Sequence, residues 1–219
     1  MTYNTALFDL DGVLWNSESA HFESFQNVAD QLKNKYPNLS DSLAETWIFG
    51  IQTSQVFLNA FSKLNITVTD IELEYLVRIK RDYAKKVFDS KSKSLINSDS
   101  LMLASDFKNC GYKLGLVSGS SKQNVDLFLR ASKSSSVFDI ILNSNDFLKN
   151  KPSPDPYLFA MKSLQVRPDQ CIVIEDSQAG IASARSAGIR EILHYPDDLA
   201  DFKRIRKLLK KHQYNSDRD

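Results

Sequence analysis

The stretch TALFDLDGVLWNSE (residues 5–18) decides the fold, because an apolar run leads directly into two carboxylates and a glycine. Residues 5–9 predict a buried strand, and Gly12 predicts the turn after it. Asp9 and Asp11 are two positions apart, so their side chains point to the same face, where two carboxylates repel each other unless a positive partner is present. The stretch therefore predicts a strand that carries a charged site at its carboxyl end.

Composition limits the classes of function that this site can serve. The 219 residues are 42% hydrophobic and 25% charged, which is ordinary for a globular protein with an apolar core. The formal net charge of +1 gives no bulk attraction to nucleic acid or to an anionic membrane. We therefore expect a small-molecule partner, and neither nucleic acid nor a membrane.

Targeting signals and cysteines bear on the compartment. The sequence shows neither the charged start and apolar segment of a signal peptide nor an apolar run near the roughly 20 residues of a membrane span. Cys110 and Cys171 lack the CxxC spacing of a metal or redox pair, so we expect buried thiols. A cytoplasmic location is the resulting prediction.

Short apolar runs alternate with helical periodicity along most of the chain, which is typical of an α/β protein with a mainly parallel sheet. Strands are predicted at residues 5–9, 113–118, 138–143, 171–175 and 191–194. Helices are predicted at residues 98–111, 120–132, 153–164 and 177–188. Ser98 and Ser153 are the expected N-terminal caps of the first and third of these helices.

Residues 17–89 interrupt this alternation, because they contain helix signals and no convincing strand. The signals include S/T-x-x-E capping boxes that begin at Ser42 and Thr69. The segment predicts a small all-helical cap domain, inserted after the first strand and lying over the strand ends. The Ser- and Lys-rich residues 89–100 predict the linker back to the core. The α/β core then comprises the remaining segments, residues 1–16 and 90–219.

Polar residues cluster at the predicted strand ends, which is where ligands of an open parallel sheet bind. They are Asp9 and Asp11 after the first strand, Ser118-Gly119-Ser120 after the second, Glu175-Asp176 at the fourth, and Lys151 at the start of a helix segment. Each group alone is a weak signal. The four groups together, in this order along the chain, form a strong signal.

Two of these groups suit phosphoryl transfer assisted by Mg²⁺. Asp9 and Asp176 supply hard oxygen ligands, which Mg²⁺ takes together with waters and a phosphate. The cation would be the positive partner that the first two carboxylates require. Asp9 is then placed to attack a phosphorus atom, while Asp11 exchanges a proton with the leaving oxygen.

The other two groups suit the phosphate itself. The backbone N–H groups of Gly119 and Ser120 lie at a predicted helix start and favour an anion, the Ser118 hydroxyl can donate, and Lys151 adds a point charge. A structural alternative stays open for several positions. Ser118 could simply end a strand, Lys151 could be an exposed loop lysine, and Asp176 or Ser177 could cap the helix that follows.

Four stretches resemble, in this order, the four motifs of the haloacid dehalogenase superfamily. They are DLDGVL (9–14), LVSGSS (116–121), KPSPDPY (151–157) and VIEDSQAGIASARSAG (173–188). The resemblance spans nearly the whole chain and is strongest to the branch that contains β-phosphoglucomutase and its phosphatase relatives. It implies a Rossmann-like core with an inserted helical cap.

The resemblance also implies roles for the residues of the core. Asp9 corresponds to the nucleophile that forms an aspartyl phosphate, and Asp11 to the general acid and base. Ser118 and Lys151 correspond to the residues that hold the transferred phosphoryl group. In that family Mg²⁺ is bound by the first aspartate, the backbone carbonyl of the second and the fourth-motif aspartate, which implies Asp9, Asp11 and Asp176, with Glu175 close by.

In the cap, the resemblance implies substrate-binding positions at His21, in the hinge, and at Gly50. The mutase carries an arginine three residues after this glycine, which grips the far phosphate of a bisphosphate, but Thr53 stands here. True dehalogenases lack an aspartate at the place of Asp11. We therefore predict a Mg²⁺-dependent phosphatase for a small metabolite of the sugar phosphate, phosphoglycolate or nucleotide class. A sugar-phosphate mutase and a catalytically silent binding protein stay as alternatives, and a capped site that closes by itself predicts a monomer.

The basic tail at residues 202–219 invites a nucleic-acid interpretation. Phe202, Ile205 and Leu208 recur at helical spacing within it, however. The pattern therefore favours a last helix that packs its apolar face on the sheet and exposes its lysines and arginines.

Overall fold

The computed structural model describes residues 3–196 and residue 205. The described chain divides into two compact units. One unit, Ser17–Ser92, is called the helical unit below. The other combines Met1–Asn16 with Lys93–Asp219 and is called the α/β unit. The last helix predicted in the basic tail lies outside the described residues.

Within the part of the chain that the structure describes, the α/β unit is built on a five-stranded parallel sheet in the order β3-β2-β1-β4-β5. The strands are β1 Thr5–Phe8, β2 Lys113–Val117, β3 Ile140–Leu142, β4 Cys171–Glu175 and β5 Glu191–His194. Every residue of β1 and β4 is buried, as expected for central strands that helices cover on both faces. The parallel α/β core that the apolar runs predict is therefore confirmed.

Helices fill both units. The helical unit contains α1 Glu18–Leu32, α2 Leu39–Thr46, α3 Thr53–Lys63 and α4 Asp70–Lys91. The α/β unit contains α5 Ser98–Asn109, α6 Lys122–Ser132, α7 Asp155–Leu164 and α8 Gln178–Ser186, together with short 3₁₀ turns at Ser135–Val137 and Pro168–Gln170. The all-helical character predicted for the segment after the first strand is confirmed.

Each unit has an apolar core of its own. In the helical unit Phe25, Phe57 and Phe61 are almost fully buried, and the rings of Phe25 and Phe57 meet edge to face with centroids 5.1 Å apart. In the α/β unit Leu7 and Val173 from the central strands pack in one cluster with helix residues. Separate cores allow each unit to hold its own elements in place.

Some predicted helix starts are correct and others are wrong. The Thr69 capping box is present in both halves, with Thr69 and Glu72 each accepting a backbone N–H of the other residue. The box at Ser42 is wrong because α2 already begins at Leu39, and the Ser42 hydroxyl instead donates to the Ala60 carbonyl at 2.7 Å. A buried side-chain bond between two helices therefore took the place of the expected cap.

The remaining corrections concern the α/β unit. Asn97, and not Ser98, caps α5, because its side chain accepts the Ser100 N–H. Helix α7 begins at Asp155, two residues after the expected cap Ser153. The predicted linker at residues 89–100 is too long, because α4 continues to Lys91 and α5 begins at Ser98.

Two further predictions concern the thiols and the membrane. Cys171 is buried as expected, whereas Cys110 at the end of α5 is only half-buried. Within the described residues, no helix combines the length and the apolar character that a bilayer crossing requires.

Candidate active site

The carboxyl ends of three neighbouring strands bring the predicted site residues together. Phe8 of β1 is in register with Leu116 of β2 and with Ile174 of β4. The Asp9 N–H continues this pairing and donates to the Ile174 carbonyl at 3.0 Å. The side chains that follow these three strands therefore lie at one edge of the sheet, as the parallel arrangement requires.

An acidic cluster occupies this edge. Asp9, Glu175 and Asp176 each offer a carboxylate oxygen, and these oxygens lie within 4.8 Å of one another. Lys151 joins them, since its Nζ lies 2.5 Å from Asp9 Oδ1, 2.5 Å from Glu175 Oε1 and 3.0 Å from the Val117 carbonyl oxygen. Lys151 is thus a buried partner of the carboxylates and not an exposed loop lysine.

The charge balance of the cluster favours a bound cation. Burial raises the pKa of Asp9 well above its ordinary value, although Lys151 acts in the opposite direction. Burial, with the neighbouring Glu175 adding to it, raises the pKa of Asp176 to about 7. Lys151 contributes one positive charge, whereas the three carboxylates contribute up to three negative ones. The donor set is all oxygen and short of positive charge, which fits Mg²⁺.

The turn after β4 fixes Asp176. Its carboxylate packs on Gly12, where a Cβ atom would lie 1.8 Å from Asp176 Oδ2, and Gly12 has a φ of +83°. Its backbone carbonyl oxygen accepts a hydrogen bond from His194 Nε2 at 2.9 Å. Ser177, and not Asp176, caps α8, because the Ser177 hydroxyl accepts the Gly180 N–H at 3.0 Å. The Asp176 carboxylate is therefore left to the acidic cluster.

The turn after β2 holds the second aspartate. The Ser120 hydroxyl donates to Asp11 Oδ2 at 2.5 Å, which fixes the Asp11 side chain. The Ser120 N–H donates to the buried Ser118 hydroxyl oxygen at 3.0 Å. Ser120 thus contacts the site through its hydroxyl group, whereas its N–H is used in a hydrogen bond within the turn. No local sequence pattern indicates the contact between Ser120 and Asp11, which are 109 positions apart.

The candidate residues His21 and Gly50 belong to the helical unit. Gly50 lies in the loop after α2 and has a φ of +87°. The His21 ring packs on Phe88 with centroids 4.9 Å apart, and its Nδ1 lies 3.0 Å from Lys80 Nζ. The sequence interpretation did not single out Lys80. A signal existed, because Lys80 falls four residues after the buried Leu76 and so occupies the apolar face of α4.

Lys80→Met is expected to stabilise the helical unit at neutral pH. Burial lowers the pKa of Lys80 to about 8, from about 10.4 in an unfolded chain. Below pH 8 the folded protein therefore carries a disfavoured charge, and removing it should raise the free energy of unfolding by on the order of 1–3 kcal/mol. Denaturant unfolding at pH 7 measures this gain.

The same gain should shrink as the pH rises. Between about pH 8 and pH 10.4 the unfolded chain keeps a proton that folded Lys80 has released, so the stability of the wild type increases with pH in this window. Lys85→Met, at an exposed position of the same helix, is the control and should show no such trend. A gain for Lys80→Met that stays constant from pH 7 to pH 10.4 would contradict the assignment.

The fold and the acidic cluster together define a class of α/β proteins. In this class a parallel Rossmann-like sheet carries the site at the end of β1, and a helical unit is inserted in the chain directly after that strand. Within this class the chain belongs to the haloacid dehalogenase-like hydrolase family, whose sequence profile matches residues 6–193. This family is the one that the four motifs resemble.

Individual relatives agree with this assignment. The chain is 30% identical over 193 residues to a β-phosphoglucomutase of Bacillus subtilis, which covers 84% of this chain and 79% of that protein. It is 28% identical over 200 residues to a phosphorylated carbohydrates phosphatase of Thermotoga maritima, which covers 91% and 88%. The crystal structure of a predicted phosphoglycolate phosphatase from Haemophilus somnus shares the fold, with a TM-score of 0.73 at 24% identity over 89% of this chain and 85% of that one.

Proposed function

We propose that the protein is a Mg²⁺-dependent phosphatase that hydrolyses a small phosphorylated metabolite through a phosphoryl group carried on Asp9. The observation that carries the proposal is the buried contact of Asp9 with Lys151, beside an Asp11 side chain held by Ser120. A relative that acts as a phosphorylated carbohydrates phosphatase supports the choice of substrate class.

Asp9, Asp176 and the backbone carbonyl of Asp11 would hold the cation. When bound, Mg²⁺ supplies the positive charge that offsets the repulsion between the carboxylates and the phosphate. Asp9 and Asp176 each offer a carboxylate oxygen, and these two oxygens lie within 4.8 Å of each other, which supports this assignment.

The chain's own residues account for the two chemical steps. In the first, an Asp9 oxygen attacks phosphorus, the bond from phosphorus to the leaving oxygen breaks, and Asp11 gives that oxygen a proton. In the second, water attacks the phosphorus of the acyl phosphate, Asp11 takes the proton of the water, and the Asp9 carboxylate is released. Lys151 and the Ser118 hydroxyl would hold the oxygens of the phosphoryl group throughout.

A substrate panel tests the proposal. With Mg²⁺ present, the purified protein should release phosphate from at least one sugar phosphate, phosphoglycolate or nucleotide, and chelation by EDTA should lower the rate by about 100-fold or more. A colorimetric phosphate assay measures both rates, and excess Mg²⁺ should restore activity after EDTA. Release of no phosphate from the whole panel would contradict the proposal.

The same panel separates the mutase alternative. Interconversion of hexose 1- and 6-phosphates, stimulated by a hexose bisphosphate, would identify a mutase. Thr53 offers no charge for a second phosphate at the position where the mutase has an arginine, so we expect hydrolysis instead. A cytoplasmic location, a monomeric state and the absence of nucleic-acid binding stay predictions from the sequence.

A further inference from the structure

The Glu175 carboxylate is enclosed by the protein. Glu175 is fully buried, and its Oε1 accepts hydrogen bonds from Lys151 Nζ at 2.5 Å and from the Tyr157 hydroxyl at 2.8 Å. Its Oε2 accepts the Ser177 hydroxyl at 3.1 Å and the Ser177 N–H at 3.4 Å. Both oxygens therefore have donors from the chain, unlike those of a carboxylate that waits for a cation.

Helix α8 packs closely against the Glu175 carboxylate. A Cβ atom at Gly180, in the first turn of α8, would lie 1.9 Å from Glu175 Oε1 and 2.1 Å from Oε2. Because Gly180 has no side chain, the Glu175 carboxylate can pack directly against α8 at this position. Because packing and hydrogen bonds fix it together, turning an oxygen towards a cation would break several contacts at once.

Tyr157 contacts both members of the Lys151–Glu175 ion pair. Its side chain is fully buried on α7, six positions after Lys151. The Lys151 Nζ lies 5.1 Å from the centre of the Tyr157 ring, and the Tyr157 hydroxyl donates to Glu175. The ring and the hydroxyl of one residue therefore support the ammonium group and the carboxylate that holds it.

We propose that Glu175 and Tyr157 position Lys151 towards the Asp9 carboxylate, and that Glu175 does not coordinate the cation. This inference rests on the proposed function, in which Asp9 carries the phosphoryl group. Glu175 and the Val117 carbonyl take two of the three Lys151 N–H groups, and the third points to Asp9 Oδ1. With two of its N–H groups held by Glu175 and Val117, Lys151 directs its third N–H to the reacting Asp9 carboxylate. In this arrangement Asp176, and not Glu175, completes the cation site with Asp9.

Two titrations test the inference on Tyr157→Phe and Glu175→Gln. Calorimetry with Mg²⁺ alone measures cation affinity, and calorimetry with inorganic phosphate at saturating Mg²⁺ measures the phosphoryl site. Both variants should weaken phosphate binding by about fivefold, the effect of a lost or weakened hydrogen bond. Both should change the Kd for Mg²⁺ by less than tenfold, whereas Asp176→Asn should raise it by about 100-fold.

Tyr3→Phe is the matched control, because the Tyr3 hydroxyl also donates to a carboxylate, that of Glu191 at 3.2 Å. This variant should leave both titrations unchanged. An increase of tenfold or more in the Mg²⁺ Kd of Glu175→Gln would overturn the inference, because it would identify Glu175 as a ligand. A phosphate Kd for Tyr157→Phe no higher than that of the control would also overturn it.

The two proposals fail separately. Both titrations measure binding, so a wild-type protein that binds Mg²⁺ and phosphate but releases none in the substrate panel would contradict the function and not the positioning role. If Glu175→Gln does not fold, Tyr157→Phe decides the positioning role, because it removes one hydroxyl and changes no charge.

Discussion

Asp9→Asn is expected to lower phosphate release by at least about 1,000-fold, because an amide cannot form the acyl phosphate on which the proposed reaction depends. The substitution keeps the size of a side chain that is only 7% exposed. It also removes a negative charge whose burial raises the pKa of the group, so we expect thermal stability to be maintained. Initial rates on the best substrate of the panel, together with thermal unfolding by circular dichroism, measure both effects.

Asp169→Asn is the matched control for this substitution. Asp169 lies on the surface of the same α/β unit, where it pairs with Arg167 at 3.1 Å, and the change should leave the rate within about twofold. Asp9→Asn activity above about a tenth of the wild-type rate would contradict a nucleophilic role. Trapping provides a second measurement, since rapid acid quenching with ³²P-labelled substrate should label the wild type and not the variant.

Residues at the strand ends were predictable because local signals place them. Asp9, Ser118 and Glu175 follow apolar runs, and the parallel sheet needs only the order of those runs to bring their ends together. The Thr69 capping box is also local, since both of its partners lie within four residues. Local patterns of this kind can be recognised in the sequence without knowledge of the tertiary structure.

Contacts between distant residues were not predictable in this way. Tyr157 occupies one more apolar position of an amphipathic helix in the sequence, and only the tertiary structure shows that its hydroxyl reaches Glu175 at the end of β4. Ser42 matches the pattern of a capping box, but its hydroxyl donates instead to the Ala60 carbonyl of a neighbouring helix. Gly180 gave no sign of its role, because the space that it leaves is occupied by a residue from another element.

Gly12→Ala is expected to weaken Mg²⁺ binding by about 10- to 100-fold, because the new methyl group would displace a proposed ligand. An ideal Cβ at this position lies 1.8 Å from Asp176 Oδ2 and 2.5 Å from Asp176 Cγ, so the carboxylate must move. The φ of +83° adds backbone strain of roughly 1–2 kcal/mol. Calorimetric titration with Mg²⁺ and denaturant unfolding measure the two consequences separately.

Gly111→Ala separates the clash from the strain. Gly111 belongs to the same unit and has a similar φ of +78°, but a Cβ there meets nothing within 4 Å. Gly111→Ala should therefore lose roughly the same 1–2 kcal/mol of stability through strain and keep the Mg²⁺ affinity of the wild type. If Gly12→Ala bound Mg²⁺ as tightly as Gly111→Ala, the Asp176 carboxylate would not be a ligand, since its forced displacement would have had no effect on the cation.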